Sequence, residues 1–121
     1  MRAAIYTIIL MLLFTGCADK RYTPSLYYWP TYSSVVKEQV LTPEQFDSEK
    51  NATLLIEDYA KRGDAVTPPG VNIYIAYLLI MNGKLEEAKK YFIKEAELFP
   101  ESKVWIDNII ENNLSELKEA T

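Results

Sequence analysis

Val71-Asn72-Ile73-Tyr74-Ile75-Ala76-Tyr77-Leu78-Leu79-Ile80-Met81, followed by Asn82-Gly83, is the stretch that decides the fold. Apart from Asn72 its first eleven positions are apolar. That run is too short to cross a bilayer, which takes about 20 residues of helix. A helix that is apolar on every side must be covered by neighbours on both sides. The segment therefore reads as the central helix of a small all-α array. Asn82-Gly83 stops it. Leu85, Ala88, Phe92, Ala96 and Phe99 then recur at helical spacing, with Glu86 and Glu87 in the first turn and Pro100 at the close.

Working outward, Asp64 to Gly70 is a connection whose Pro68-Pro69-Gly70 is stiff and then permissive. It either aims the following helix or forms a binding loop. Upstream, Thr42-Pro43-Glu44-Gln45 has the elements of a capping box, with proline at the first helical position. It predicts a helix from there to about Arg62, with Phe46, Ala52, Leu55, Ile56 and Tyr59 as its apolar stripe and Gly63 as its cap. Tyr32, Val35, Val36 and Val40 suggest a short, weak helix over Thr31 to Leu41. Downstream, Ser102 is placed to cap a last helix with Val104, Trp105, Ile109, Ile110, Leu114 and Leu117 facing inward. Asn112, Asn113 and Ser115 weaken its second half.

Residues 18–30 are polar and then aromatic, and Pro24 and Pro30 bias them to extended conformations. Tyr22 to Tyr32 inclusive holds five aromatics, more than a bare spacer requires. Tyr27, Trp29 and Tyr32 are expected to pack back on the helices as core. The competing role is an exposed anchor for a partner, because Tyr and Trp dominate interface hot spots. On that reading the candidate partner-binding residues are Tyr27, Tyr28, Trp29 and Tyr32, together with Pro68 and Pro69.

The first residues are an address. Arg2 precedes an apolar run from Ala3 to Phe14, and Thr15-Gly16-Cys17 follows. This has the layout of a signal peptide. Ending in Gly-Cys, it resembles a bacterial lipobox, in which a peptidase cuts before a cysteine that carries a diacylglycerol. The resemblance implies a signal peptide over 1–16, a lipidated Cys17 with a tether to 26, and a helical domain over 27–121. Ala18 follows Cys17, with Asp19 one place later. By resemblance to sorted lipoproteins this implies the periplasmic face of the outer membrane rather than the inner membrane.

The central hairpin, Asn-Gly turn and Phe-Pro ending resemble one tetratricopeptide unit. Gly83 takes the turn, Ala88 the small crossing position, Phe92 the large packing position and Pro100 the terminal proline. Glu95 stands where that repeat normally has a small residue. A solenoid needs about three stacked repeats to bury its faces, so flanking helices must complete this one. The order of lipobox, Tyr27-Tyr28-Trp29 with Tyr32, Pro68-Pro69-Gly70, and Phe99-Pro100-Glu101-Ser102 before Trp105-Ile106-Asp107 resembles the uncharacterised bacterial lipoproteins known as domain of unknown function forty-eight-ten. That resemblance implies an α-helical periplasmic module. Such lipoproteins are often encoded beside a lipoprotein similar to the curli secretion pore, which implies a pore-like or other envelope partner.

Composition excludes much else. The 121 residues hold 13 basic against 17 acidic side chains, so a nucleic-acid footprint is absent. There is no histidine and one cysteine, which removes the usual catalytic triads and the usual zinc ligands. The pairs Glu86–Glu87 and Glu95–Glu97 split around a helix and read as solvated faces. No cofactor, metal or small-molecule substrate is expected. The expectation is a non-catalytic, lipid-anchored module that binds another envelope protein. The alternative is a small structural lipoprotein that self-associates.

Overall fold

The computed structural model describes residues 1, 2, 4–6 and 25–120. Cys17 and most of the tether lie outside them. From residue 25 onward the described chain is an array of helices without strands. It runs through α1 (Pro30–Leu41), α2 (Ser48–Arg62), α3 (Val71–Met81), α4 (Leu85–Leu98), α5 (Lys103–Asn108) and α6 (Leu114–Ala120).

The expected central helix is α3. It packs on α2 on one side and most extensively on α4 on the other. Val71, Ile75, Ala76, Leu78 and Leu79 are consequently buried, and only Tyr77 and Met81 project well into solvent. The turn after α3 has the two hydrogen bonds of a Schellman ending: Gly83 N–H donates to Ile80 C=O at 2.9 Å and Lys84 N–H to Leu79 C=O at 2.9 Å. Asn82 adds a side-chain bond to the Leu78 carbonyl at 2.8 Å. On α4, Ala88 and Phe92 are buried, as their spacing predicts. Pro100 opens a short 3₁₀ turn to Ser102 that ends the hairpin.

Four local expectations need correction. Pro30 does not extend the aromatic segment; it opens α1, where its fixed φ suits the first helical position and its missing N–H leaves no donor unsatisfied. The Thr42 signal starts only a 3₁₀ turn, Pro43–Gln45. Phe46 then becomes extended (φ −70°, ψ 116°), which carries its ring onto the core. Asp47 is the actual cap of α2, accepting from Lys50 N–H at 2.9 Å. Aspartate is the stronger capping residue, and it lies beyond the Phe46 kink.

The other two corrections concern the last helix. Ser102 makes no cap; its hydroxyl donates to the Phe99 carbonyl at 2.7 Å and stays in the turn. That turn sets the phase of α5 so that Ile106 is buried, while Val104 is 83% and Trp105 53% exposed. Leu117 is also largely exposed. The weak stretch foreseen around Asn112 and Asn113 is a π-helical segment, Ile109–Asn113, which joins α5 to α6. It resets the phase so that Leu114 returns to the core.

Candidate functional site

The N-terminal ends of α1 and α3 and the C-terminal ends of α2 and α4 meet at one end of the molecule, and the aromatic segment is fastened there. Tyr28 is its centre. Its N–H donates to the Val66 carbonyl at 2.8 Å, and its carbonyl accepts from the Tyr59 hydroxyl at 2.6 Å. The Arg62 guanidinium lies 3.4 Å from the Tyr28 ring centroid, and the Tyr59 ring meets it edge-on at 6.3 Å. Tyr27 meets Phe99 in a T-shaped contact at 6.2 Å. Thr31 donates to Asp58 at 2.6 Å, and Arg62 pairs with the same carboxylate oxygen at 3.0 Å. The hydrogen-bonded Arg62 holds the Asp58 carboxyl below its ordinary pKa, and burial pushes the Tyr59 hydroxyl up to about 12.

The adjoining loop divides the proline pair. Pro68 is buried and Pro69 exposed. Thr67, also buried, donates to the Gly63 carbonyl at 3.1 Å. Glu95 completes this end. It is 2% exposed, and its Oε1 accepts from the Gly70 N–H at 2.6 Å. Glycine supplies no capping side chain to α3, so Glu95 caps that helix from α4 and places a carboxylate at its positive end. Burial pushes the Glu95 carboxyl above its ordinary pKa, although the Gly70 N–H that donates to it pulls it down. Its Oε2 and the neighbouring Asn72 Nδ2 are buried without a hydrogen-bond partner. The expectation that Glu95 belongs to a solvated face is therefore wrong. The signal was in the chain: a glutamate at a position of the hairpin that normally takes a small residue.

From this end a row of rings leads down between α1 and α3. Trp29 and Tyr32 lie 6.1 Å apart, Tyr32 and Tyr74 5.3 Å, and Tyr74 and Tyr77 6.0 Å. Tyr74 donates to Gln39 Oε1 at 2.5 Å, which ties α3 to α1, and burial pushes its hydroxyl up to about 12. Trp29 is 37% exposed and Tyr77 45%. The expectation of Trp29 as core is thus met only in part: its ring meets Tyr32 at a tilt and about a third of the residue stays exposed. Tyr28, not Trp29, is the fastened ring. Tyr77 and Met81 escaped notice because an all-apolar helix carries no phase that marks its exposed side.

A second apolar surface lies on the C-terminal helices. Ile93, Ala96 and Ile106 line a groove of about 260 Å³, rimmed by Glu97, Lys103 and Asp107. Val104 and Trp105 project from α5. Among the described residues no group of three or more acidic or sulfur ligands is placed to hold a metal ion, and no helix is long and apolar enough to cross a membrane.

The family model described as a domain of unknown function (DUF4810) matches residues 26–109, from the aromatic segment into the π-helical segment. No curated protein and no solved structure matches the chain.

Proposed function

The chain belongs to the DUF4810 family, and we propose that it is a non-catalytic, lipid-anchored interaction module of the bacterial envelope, held through Cys17 at the periplasmic face of the outer membrane. Its partner is another envelope lipoprotein or a pore-like protein, to which it is an accessory subunit. The observation that carries this reading is the apolar surface of the C-terminal helices. Val104 and Trp105 are 83% and 53% exposed on α5, and Ile93, 42% exposed on α4, lines the groove floored by Ile106. Exposed large apolar side chains on a helix that also borders an apolar groove with a charged rim mark a surface suited to a protein partner. The helical hairpin resembling a tetratricopeptide unit supports the same reading by analogy of fold.

Two experiments test the two halves of the proposal. Cys17→Ser in the full-length chain should move the protein out of the membrane fraction and block maturation; retention with unchanged processing refutes the anchor. A photo-crosslinking residue in place of Trp105 should trap one discrete heterologous envelope protein in cells. A product containing only a second copy of this chain would favour the self-associating structural lipoprotein instead.

A further inference from the structure

We propose that the Trp29–Tyr32–Tyr74–Tyr77 face contacts the lipid bilayer itself, lying at headgroup level in the membrane that holds the anchor. The inference rests on the lipid-anchored reading of Cys17 and adds to it a second, non-covalent membrane contact.

Reach comes first. Trp29 is twelve residues from Cys17, so even a fully extended chain keeps it within about 40 Å of the acylated residue. The aromatic end of the domain is therefore confined to a layer next to the bilayer, whichever way the domain turns.

Charge then selects the side that turns towards it. On this side α1 holds one base, Lys37, against one acid, Glu38, and α3 holds no charge, so the side is neutral. Residues 42–121 hold nine bases against fifteen acids. Anionic headgroups repel that acidic remainder and leave the α1–α3 side as the one that can approach.

The chemistry of the face fits an interface. Trp and Tyr combine an apolar ring with a polar edge, and they concentrate where a membrane is apolar on one side and wet on the other. Met81, 51% exposed at the end of α3 and on the helix face of Tyr74 and Tyr77, extends the apolar area. A contact of this kind orients the domain, with the C-terminal groove left free for a protein partner. A protein-binding role for this same row of rings is the alternative that the test must be able to return.

The protein has two tryptophans, Trp29 and Trp105, so each can be made the only one. The Trp105→Phe and Trp29→Phe chains, matured in cells and confirmed by mass as acylated, are reconstituted into phosphatidylethanolamine–phosphatidylglycerol vesicles with brominated acyl chains. Emission from Trp29 should shift to the blue and lose most of its intensity to bromine quenching. Emission from Trp105 should do neither. An acylated chain whose Trp29 emission is unchanged by the vesicles, or whose Trp105 is quenched in its place, overturns the inference and leaves the face to a protein. If cells do not acylate Cys17, the anchored reading fails by itself. Coupling the chain's single thiol to maleimide-bearing lipid then tests the bilayer contact separately, with the same two outcomes.

Discussion

The Tyr59 hydroxyl donates to the main-chain carbonyl of Tyr28 at 2.6 Å, across 31 residues of sequence. With the Tyr28 N–H bonded to Val66, both main-chain groups of residue 28 are satisfied by the helical array. The aromatic segment is thus held as a strand would be, without a sheet. Tyr59→Phe keeps the ring and removes the donor, leaving a partly buried carbonyl unpaired. It should cost about 1–2 kcal/mol. Tyr28→Ala keeps both main-chain bonds but loses the ring's contacts with Arg62 and the Tyr59 ring. It should cost more, though less than the roughly 3–5 kcal/mol of a fully buried aromatic. Urea denaturation with an unchanged slope measures both. Two variants as stable as the parent would mean that the segment is not fastened to the domain.

Glu95 gives a pH dependence with a definite sign. Its folded pKa is raised, chiefly by burial. Between the unfolded and folded values, the folded state keeps a proton that the unfolded chain has released. Stability from this group therefore falls as pH rises through that window and is flat above it. Glu95→Gln keeps the shape and a carbonyl oxygen for the Gly70 N–H but cannot ionise. The stability of the variant relative to the parent should increase as pH is raised from the acid range to neutrality. Asp58, whose pKa is lowered by Arg62, acts in the opposite direction: its contribution is lost on acidification. It is present in both chains and cancels in the difference. A difference independent of pH would show that the Glu95 proton is not held by the fold.

Val71–Met81 was legible to the residue because an apolar run bounded by Gly70 and Asn82-Gly83 admits one solution. The Leu85, Ala88, Phe92 stripe was legible for the same reason: periodicity and caps agree there. Where they disagreed, tertiary packing decided. At Thr42 the hydroxyl donates back to the Glu38 carbonyl at 2.9 Å instead of capping, and Asp47 supplies the cap after the extended Phe46. In the last helix Val104, Trp105 and Ile106 are three adjacent apolar residues. Only the Pro100–Ser102 turn selects Ile106 as the inward one, and a turn's effect on phase is not written in hydropathy. At the candidate site the aromatic cluster was visible from composition. Its division between the fastened Tyr28 and the open Trp29 depends on Tyr59, Arg62 and Val66, which are far away in sequence.

The phase of α5 can be tested directly. Ile106 is fully buried, and Ile106→Ala should cost about 2–5 kcal/mol. Val104 is 83% exposed, and Val104→Ala should stay within about 0.5 kcal/mol of the parent. Thermal melting of the two variants separates the observed phase from the one that turns Val104 inward, under which the order of the two effects reverses.

Gly63 and Gly83 both have positive φ, yet they should answer differently to the same substitutions. Gly83 lies at φ 72° in the Schellman turn after α3, and a Cβ there would meet nothing within 4 Å. The cost of Gly83→Ala is then backbone strain alone, about 1–2 kcal/mol. Asparagine tolerates the left-handed region better than alanine does, so Gly83→Asn should recover part of that loss. Gly63 also has open space, but it combines φ 91° with ψ 164°, a region that is essentially glycine-only and costs about 1–3 kcal/mol for other residues. Gly63→Ala should therefore destabilise at least as much, and Gly63→Asn should recover little of it. Four melting curves decide the matter. Equal recovery by asparagine at both positions would mean that the α2–α3 connection can relax into an ordinary left-handed turn. In that case the buried Thr67 and Pro68, which depend on its present course, would have to move with it.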